Sequence, residues 1–371
     1  MTDEVSVLIV DDSALMRNLI SRMIDATPGL AVAEKAMNGI FALQKIPRVT
    51  PDAIVLDLEM PEMNGIEFLK ERKKRGIDIP VIILSSLARR GAEITMEALS
   101  LGASDFVMKP SGSVSEDVTS VKDVLTGMLL AYGSQYRRLK GKKVLSPSEY
   151  PKKEAPQHPD FLQSRTSAAP TKAPEPLRKP GKIEIIAIGI STGGPDALRE
   201  VFAHIDADLK QPILVVQHMP AGFTLEFAKS LDRLCPLEVK EAEEGDLIKP
   251  GRVLIAQGNK HLELEKKALA TIAHLSDAPL VSGHRPSADV LFASVAKTYQ
   301  NHALGVIMTG MGKDGAEHLG DIYREGGITL GQDEASAVVY GMPRVAHEMG
   351  HVMEQVPLAK MASRICAIAK G

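Results

Sequence analysis

The chain of 371 residues carries 44 Lys and Arg against 47 Asp and Glu, a formal net charge of -3, which leaves no chain-wide excess to mark a nucleic-acid or membrane-surface binder. With 44% hydrophobic residues it has material for two cores, and with no Trp and 4% aromatics it lacks the stacking platform of a single-strand binder. Cys235 and Cys366 have neither metal-ligand spacing nor a disulfide framework, which fits a reducing compartment.

No apolar run approaches the ~18 residues that span a bilayer. The N-terminus enters a strand without a basic, apolar leader. The expectation is a cytoplasmic protein that neither inserts into membranes nor binds nucleic acid. Residues 1–133 alternate strands and helices. Val5–Val10 reads as a buried strand, and a helix follows through Leu15, Leu19 and Met23. Ala53–Leu56 and Val81–Leu84 are further apolar strands, a helix covers Ala92–Leu101, and a short strand ends at Phe106–Val107. Uninterrupted apolar strands alternating with helices imply a parallel, doubly wound α/β sheet. In such a sheet, residues just past the strands' carboxyl ends share one edge, where ligands bind. Asp11 and Asp12 follow the first strand, Asp57 follows AIVL, Ser85 ends VIIL, and Lys109 follows the last strand. Three converging carboxylates call for a hard cation such as Mg²⁺. A hydroxyl and an ammonium beside them would contact a phosphoryl group on Asp57. The competing reading, acids that cap the following helices, serves Asp12 alone but not all five positions.

The stretches VDDSALMR, LDLEMPEMNG, LSSLA and DFVMKP resemble the receiver domains of bacterial response regulators, over about residues 3–130. The resemblance implies a flavodoxin-like (βα)₅ fold. It implies Asp57 as phosphoacceptor, Asp11, Asp12 and Asp57 as Mg²⁺ ligands, Ser85 as switch hydroxyl and Lys109 as phosphoryl contact. Phe106 stands where many receivers carry a Tyr, so gating by a tyrosine hydroxyl is absent. Glu59 lies near the metal edge.

Residues 134–180 concentrate Pro among Lys, Ser and Ala and lose apolar periodicity, which reads as a flexible linker. A second α/β pattern, residues 181–371, opens with Ile183–Ile190. Ile213–Val216 and Leu304–Met308 are further buried strands, with helices over Ala197–His204 and Ser287–Tyr299. Val253–Ala256, Leu262–Leu264 and Ala270–Ala273 look hairpin-like. Ser191 ends the first strand in a glycine-rich turn that opens a helix, His218 ends the next apolar strand, and Asp314 lies just past LGVIM. Nucleophile, base and orienting acid at one edge are what acyl transfer needs. Alternatives stay open at this point. Gly189–Gly193 matches G-x-S-x-G by a five-residue pattern that arises readily by chance. The glycines could equally serve a dinucleotide, although no acid follows the second strand to take a ribose. His261, His284, His302, His318 and His347 have no ligand spacing and read as structural or surface residues, with His284–Pro286 a polar loop within reach of substrate.

Together with the receiver, the stretches GISTGGPDAL, VVQHMP, GHRPSADVLF, TGMGKDGA and QDEASAVVYGMPRVA resemble the catalytic domain of the chemotaxis protein-glutamate methylesterases, the CheB family, over about residues 183–355. The resemblance implies a mostly parallel α/β catalytic domain. It implies Ser191, His218 and Asp314 as the triad, with Thr192 and the backbone near Met311 around the oxyanion. It implies hydrolysis of glutamate methyl esters on methylated chemoreceptors, with no cofactor for the esterase half, and admits deamidation of receptor glutamines. It implies a histidine kinase as phosphodonor, and points to a tethered receiver that occludes the catalytic face until phosphorylated. One departure is AQGN at 256–259, where a proline-glycine turn is expected; it is read as bearing on receptor contacts and not on chemistry. The competing readings are a regulatory binding module without catalysis, and an unrelated esterase with another base such as His347.

Overall fold

The structure, a computed structural model, describes residues 3–86, 89–109, 115–145 and 175–371. The chain divides into two compact units. The first builds β1 (Val5–Val10), α1 (Ala14–Asp25), β2 (Leu30–Ala36), α2 (Gly39–Val49), β3 (Ala53–Asp57), α3 (Gly65–Lys74), β4 (Val81–Ser85), α4 (Arg89–Ser100), β5 (Asp105–Met108) and α5 (Ser115–Leu139). Its five strands lie parallel in the order β2-β1-β3-β4-β5. β1, β3 and β4 are almost wholly buried because helices cover both faces, which is why they read as plain apolar runs. The order reverses between β1 and β3, so the carboxyl ends of those strands flank the crevice.

The second unit builds β6 (Ile185–Ile190), α6 (Gly194–Ala203), β7 (Ile213–Gln217), α7 (Phe223–Asp232), β8 (Glu238–Glu241), β9 (Arg252–Ile255), β10 (His261–Lys266), β11 (Thr271–Ser276) and α8 (Ala288–Tyr299). It continues with β12 (Ala303–Ile307), α9 (Ala316–Arg324), β13 (Ile328–Gln332), α10 (Met342–Glu348), β14 (Glu354–Val356) and α11 (Leu358–Lys370). Seven parallel strands run in the order β14-β13-β12-β6-β7-β9-β8, and β10 and β11 form a separate antiparallel pair. The chain moves from β6 to β7 on one side and later returns to β12 on the other, so the switch point lies at β6. Under this edge Leu214, Leu254, Leu291, Phe292 and Ile307 pack in one buried cluster. Each such side chain contributes on the order of 2 kcal/mol of burial, which makes the strand ends a rigid platform.

Two expectations change. The run at Val253–Ala256 is no hairpin: β9 pairs in parallel with β7 and β8 inside the main sheet, and only β10 and β11 form a hairpin. The break expected after Gly133 does not occur there, because α5 continues to Leu139. Arg137, buried on that helix, donates to Asp52 Oδ2 at 2.8 Å and to the Glu4 carbonyl at 2.8 Å. Lys142 reaches the other Asp52 oxygen at 2.7 Å. At the far end, Leu177 N donates to the Arg324 carbonyl and Gly181 N to the Asn301 carbonyl, so residues before 181 already pack on the second unit. The rest of the expected linker, 146–174, lies outside the described residues.

Candidate active site and phosphoacceptor pocket

In the first unit, Asp11 and Asp12 leave β1, Asp57 ends β3, and ligand oxygens of the three lie within 4.8 Å of one another. Ser13, not Asp12, caps α1 by accepting from Met16 N, so helix capping does not account for the acids. Lys109 Nζ stands 2.8 Å from Asp57 Oδ2 and 3.7 Å from Asp11 Oδ2. Two carboxylates at such separations repel by roughly 3–4 kcal/mol at an effective dielectric of about 20. Burial first, then the charge of Asp57, raise the Asp11 carboxyl to about 6. Burial also raises Asp57, against the opposing pull of Lys109. Asp11 Oδ2 is buried without a hydrogen-bond partner. All-oxygen donors with an unsatisfied buried carboxylate fit a hard divalent cation. Ser85 Oγ lies on the same pocket wall and shares a 2.7 Å hydrogen bond with Thr95 Oγ1 on α4. Phe106 is buried on β5 and Glu59 lines the pocket.

In the second unit, Ser191 follows β6, His218 follows β7, and Asp314 lies past β12. Ser191 N donates to the Thr309 carbonyl at 2.9 Å, tying its backbone to the segment that leads to Asp314. Gly193, at φ 79°, makes the turn into α6 that a side chain would strain. Gly310 lies so close that a Cβ there would fall 2.9 Å from Ser191 Cβ. His218 Nδ1 stands 3.0 Å from Ser191 Oγ, and His218 Nε2 stands 2.8 Å from Asp314 Oδ2. Asp314, its side chain 1% exposed, also accepts from Ser287 Oγ at 2.6 Å, Ala288 N at 2.7 Å and Asp289 N at 3.3 Å. Burial pushes this carboxyl up, but the hydrogen bond and charge of His218 and the donors of α8 outweigh it and hold it at about 2. The α8 N-terminus thus keeps the acid ionised.

Sequence reasoning missed two contributors. Gln217 Nε2 donates to the backbone carbonyls of Ser191 at 3.0 Å and His218 at 3.3 Å, tying the ends of β6 and β7. His284, read as structural or near substrate, stacks on His218 with ring centroids 3.8 Å apart and planes 12° apart. AQGN also bears on the site: Asn259 Oδ1 accepts from Arg285, the neighbour of His284. A stack across loops 66 residues apart leaves no periodic signal, whereas Gln217 could have been suspected from its place beside His218. His347, the alternative base, sits at the end of α10, and neither of the two hydrogen bonds that hold the His218 ring involves it. Thr192 is buried beside Ser191, and Met311 is half-buried three residues before Asp314.

Residues 186–365 match the family model for the CheB methylesterase, and residues 7–116 match the model for the response regulator receiver domain. The chain is 63% identical over 365 residues to a protein-glutamate methylesterase/protein-glutamine glutaminase of Treponema denticola, covering 98% of both chains. It is 52% identical to the protein of that name from Treponema pallidum, over 98% of this chain and 97% of that one. The chain belongs to the CheB methylesterase family. A solved CheB methylesterase catalytic domain from Thermotoga maritima is 36% identical, covers 51% of this chain and all of its own, and superposes with a TM-score of 0.49. The chain joins a receiver domain to a methylesterase domain. Among the described residues, no helix is long and apolar enough to cross a membrane.

Proposed function

We infer that this chain is a cytoplasmic, receiver-regulated protein-glutamate methylesterase that removes methyl groups from glutamate esters on chemoreceptors and deamidates receptor glutamines. The observation that carries the reading is the continuous hydrogen-bonded line from Ser191 through His218 to a buried, ionised Asp314. Asp314 accepts a hydrogen bond from the N–H at His218 Nε2, leaving Nδ1 with its lone pair toward the Ser191 hydroxyl. Nδ1 removes that proton as Oγ attacks the ester carbonyl, and the tetrahedral oxyanion is met by backbone N–H groups near Thr192 and Met311. Nδ1–H then protonates the departing methoxide, methanol leaves, and a glutamyl ester remains on Ser191. Water, deprotonated by the same nitrogen, releases glutamate and regenerates the serine. With a glutamine substrate the leaving group is ammonia. The active-site residues engaged in these steps need no cofactor.

In the receiver, Asp57 accepts the phosphoryl group from a histidine kinase, and Lys109 Nζ is placed to contact it. Asp11, Asp12 and Asp57 would hold Mg²⁺, which supplies charge neutralisation during transfer. The Ser85 hydroxyl would leave Thr95 to meet the new phosphoryl oxygens. Acid quench of enzyme turning over a methyl-ester receptor peptide, followed by mass spectrometry, tests the esterase half. A peptide adduct on Ser191 is expected; an adduct elsewhere, or hydrolysis that persists in Ser191→Ala, contradicts the reading.

A further inference from the structure

We propose that Gln217 is a positioning residue for the oxyanion site of the esterase: its side-chain amide, bound to the Ser191 carbonyl, aims and polarises the Thr192 N–H at the other end of the same peptide unit. The inference rests on the reading of Ser191, His218 and Asp314 as an acyl-transfer triad with the Thr192 N–H facing the oxyanion.

The Ser191 carbonyl and the Thr192 N–H belong to one planar trans peptide, in which they point in opposite directions. Whatever holds the oxygen therefore directs the hydrogen. Two donors from different elements hold it, Gly194 N at 2.7 Å and Gln217 Nε2 at 3.0 Å. The Gly194 bond closes the turn on itself and leaves the turn free to rock on the end of β6. The Gln217 bond ties the same oxygen to β7, where Gln217 pairs in register with Ile190, and so removes that freedom. Thr309 Oγ1 donates to the Thr192 carbonyl at 2.9 Å, which fixes the next peptide as well. Among the described residues Thr192 N makes no hydrogen bond, so its donor remains for a ligand. Hydrogen bonds accepted by a peptide oxygen also polarise the N–H of that peptide and make it a better donor.

The surroundings of Gln217 favour its nitrogen over its oxygen. The side chain is buried, and Nε2 donates a second bond to the His218 carbonyl at 3.3 Å. Oε1 is buried without a hydrogen-bond partner. Such an orphaned acceptor costs stability, and the reversed amide would set an oxygen against two carbonyls. An apolar residue would avoid the orphan but would leave the Ser191 carbonyl without its tie to β7. Gly194 leaves room for the amide, since a Cβ there would overlap Gln217 Oε1. The glycine pair thus has two separate uses: Gly193 makes the turn at φ 79°, and Gly194 admits Gln217.

The test is steady-state methanol release from methylated receptor by the full chain, comparing Gln217→Met and Gln217→Leu with the parent. Inhibition by a receptor peptide carrying a methyl phosphonate in place of the glutamate methyl ester is measured alongside, as a tetrahedral anion that needs the oxyanion donors. Losing an oxyanion donor outright costs about 10²–10³-fold in kcat. Here the donor is misaimed and the Gly194 bond stays, so kcat should fall about tenfold or more, with KM within about twofold. Affinity for the phosphonate should fall by a similar factor, and the pH midpoint of kcat should stay in place. Should both Gln217 variants fail to fold, Gly194→Ala, which displaces the same amide by taking its space, carries the comparison with the same expectations. Parent kcat in the folded variants would overturn the proposal. So would a raised KM at constant kcat, which would make Gln217 a substrate contact. A lowered kcat with a shifted pH midpoint and unchanged phosphonate affinity would place its effect on His218 and overturn it too. Ser191→Ala separates the two levels: if it retains activity the triad reading itself fails, and if it is inactive while the Gln217 variants are unimpaired only the positioning role fails.

Discussion

The receiver's acid pocket makes a prediction about stability with a definite sign. Asp11 has a folded pKa of about 6 against an ordinary value of 3.8. A carboxyl raised on folding favours the folded state below its unfolded pKa, and this contribution disappears as pH rises through the folded value. The difference amounts to about 3 kcal/mol between strongly acid and neutral conditions. Between about pH 7.5 and about pH 5.5 it amounts to about 0.8 kcal/mol, or roughly 2–4 °C in the melting temperature of a domain of this size. The window is clean because no histidine precedes His158 in the chain, so carboxyls dominate proton uptake by the receiver there. Calorimetry of the full chain, following the unfolding transition that Asp11→Asn displaces, should show that transition rising as pH falls without Mg²⁺. Asp11→Asn should raise it at neutral pH and flatten its pH dependence. Saturating Mg²⁺ should also raise it at neutral pH but invert the trend, since protons then compete with the cation for the same oxygens. A metal-free receiver that loses stability on acidification through this window would refute the reasoning.

The other predictions concern chemistry. Ser191→Ala and His218→Ala should each reduce methanol release to near background, and the double variant should be no worse, because triad members act as a unit; additive losses would argue against a shared mechanism. Asp314→Asn should lower turnover by about 10²–10⁴-fold, toward the lower figure if the amide oxygen keeps facing Ala288 N and His218, a choice that kcat and a crystal structure of the variant would decide together. Ser287→Ala deletes one donor to Asp314 and should cost on the order of 1–2 kcal/mol of stability, read from denaturant unfolding. Asp57→Asn should abolish phosphoryl uptake from a small-molecule donor in Mg²⁺, and residual labelling at the parent level would place the phosphoacceptor elsewhere.

The site was legible where chemistry coincides with topology. Asp11, Asp57, Ser191, His218 and Asp314 all follow short apolar strands, and in parallel sheets with these orders such positions converge. Elements whose partners lie far along the chain were less legible. β8 reads EVKE and β2 carries Glu34 and Lys35, polar edge-strand sequences that apolar periodicity passes over. β9 is four residues long, too short to reveal whether its neighbours run parallel or antiparallel. Helix α5 passes Gly133 because Arg137 finds Asp52, 85 residues earlier, a pairing that no local pattern encodes. The stack of His284 on His218 belongs to the same class, since it depends on how a loop is anchored by Arg285.

The central claim is that Ser191 hydrolyses glutamate methyl esters under the control of Asp57. Methanol release from membranes bearing methylated receptor, measured for the full chain with and without a phosphodonor in Mg²⁺, tests it most directly. The account predicts that the donor raises the rate several-fold in the parent chain, leaves Asp57→Asn at its basal rate, and produces nothing in Ser191→Ala. Methanol release that ignores the donor, or that survives the loss of the Ser191 hydroxyl, would contradict it.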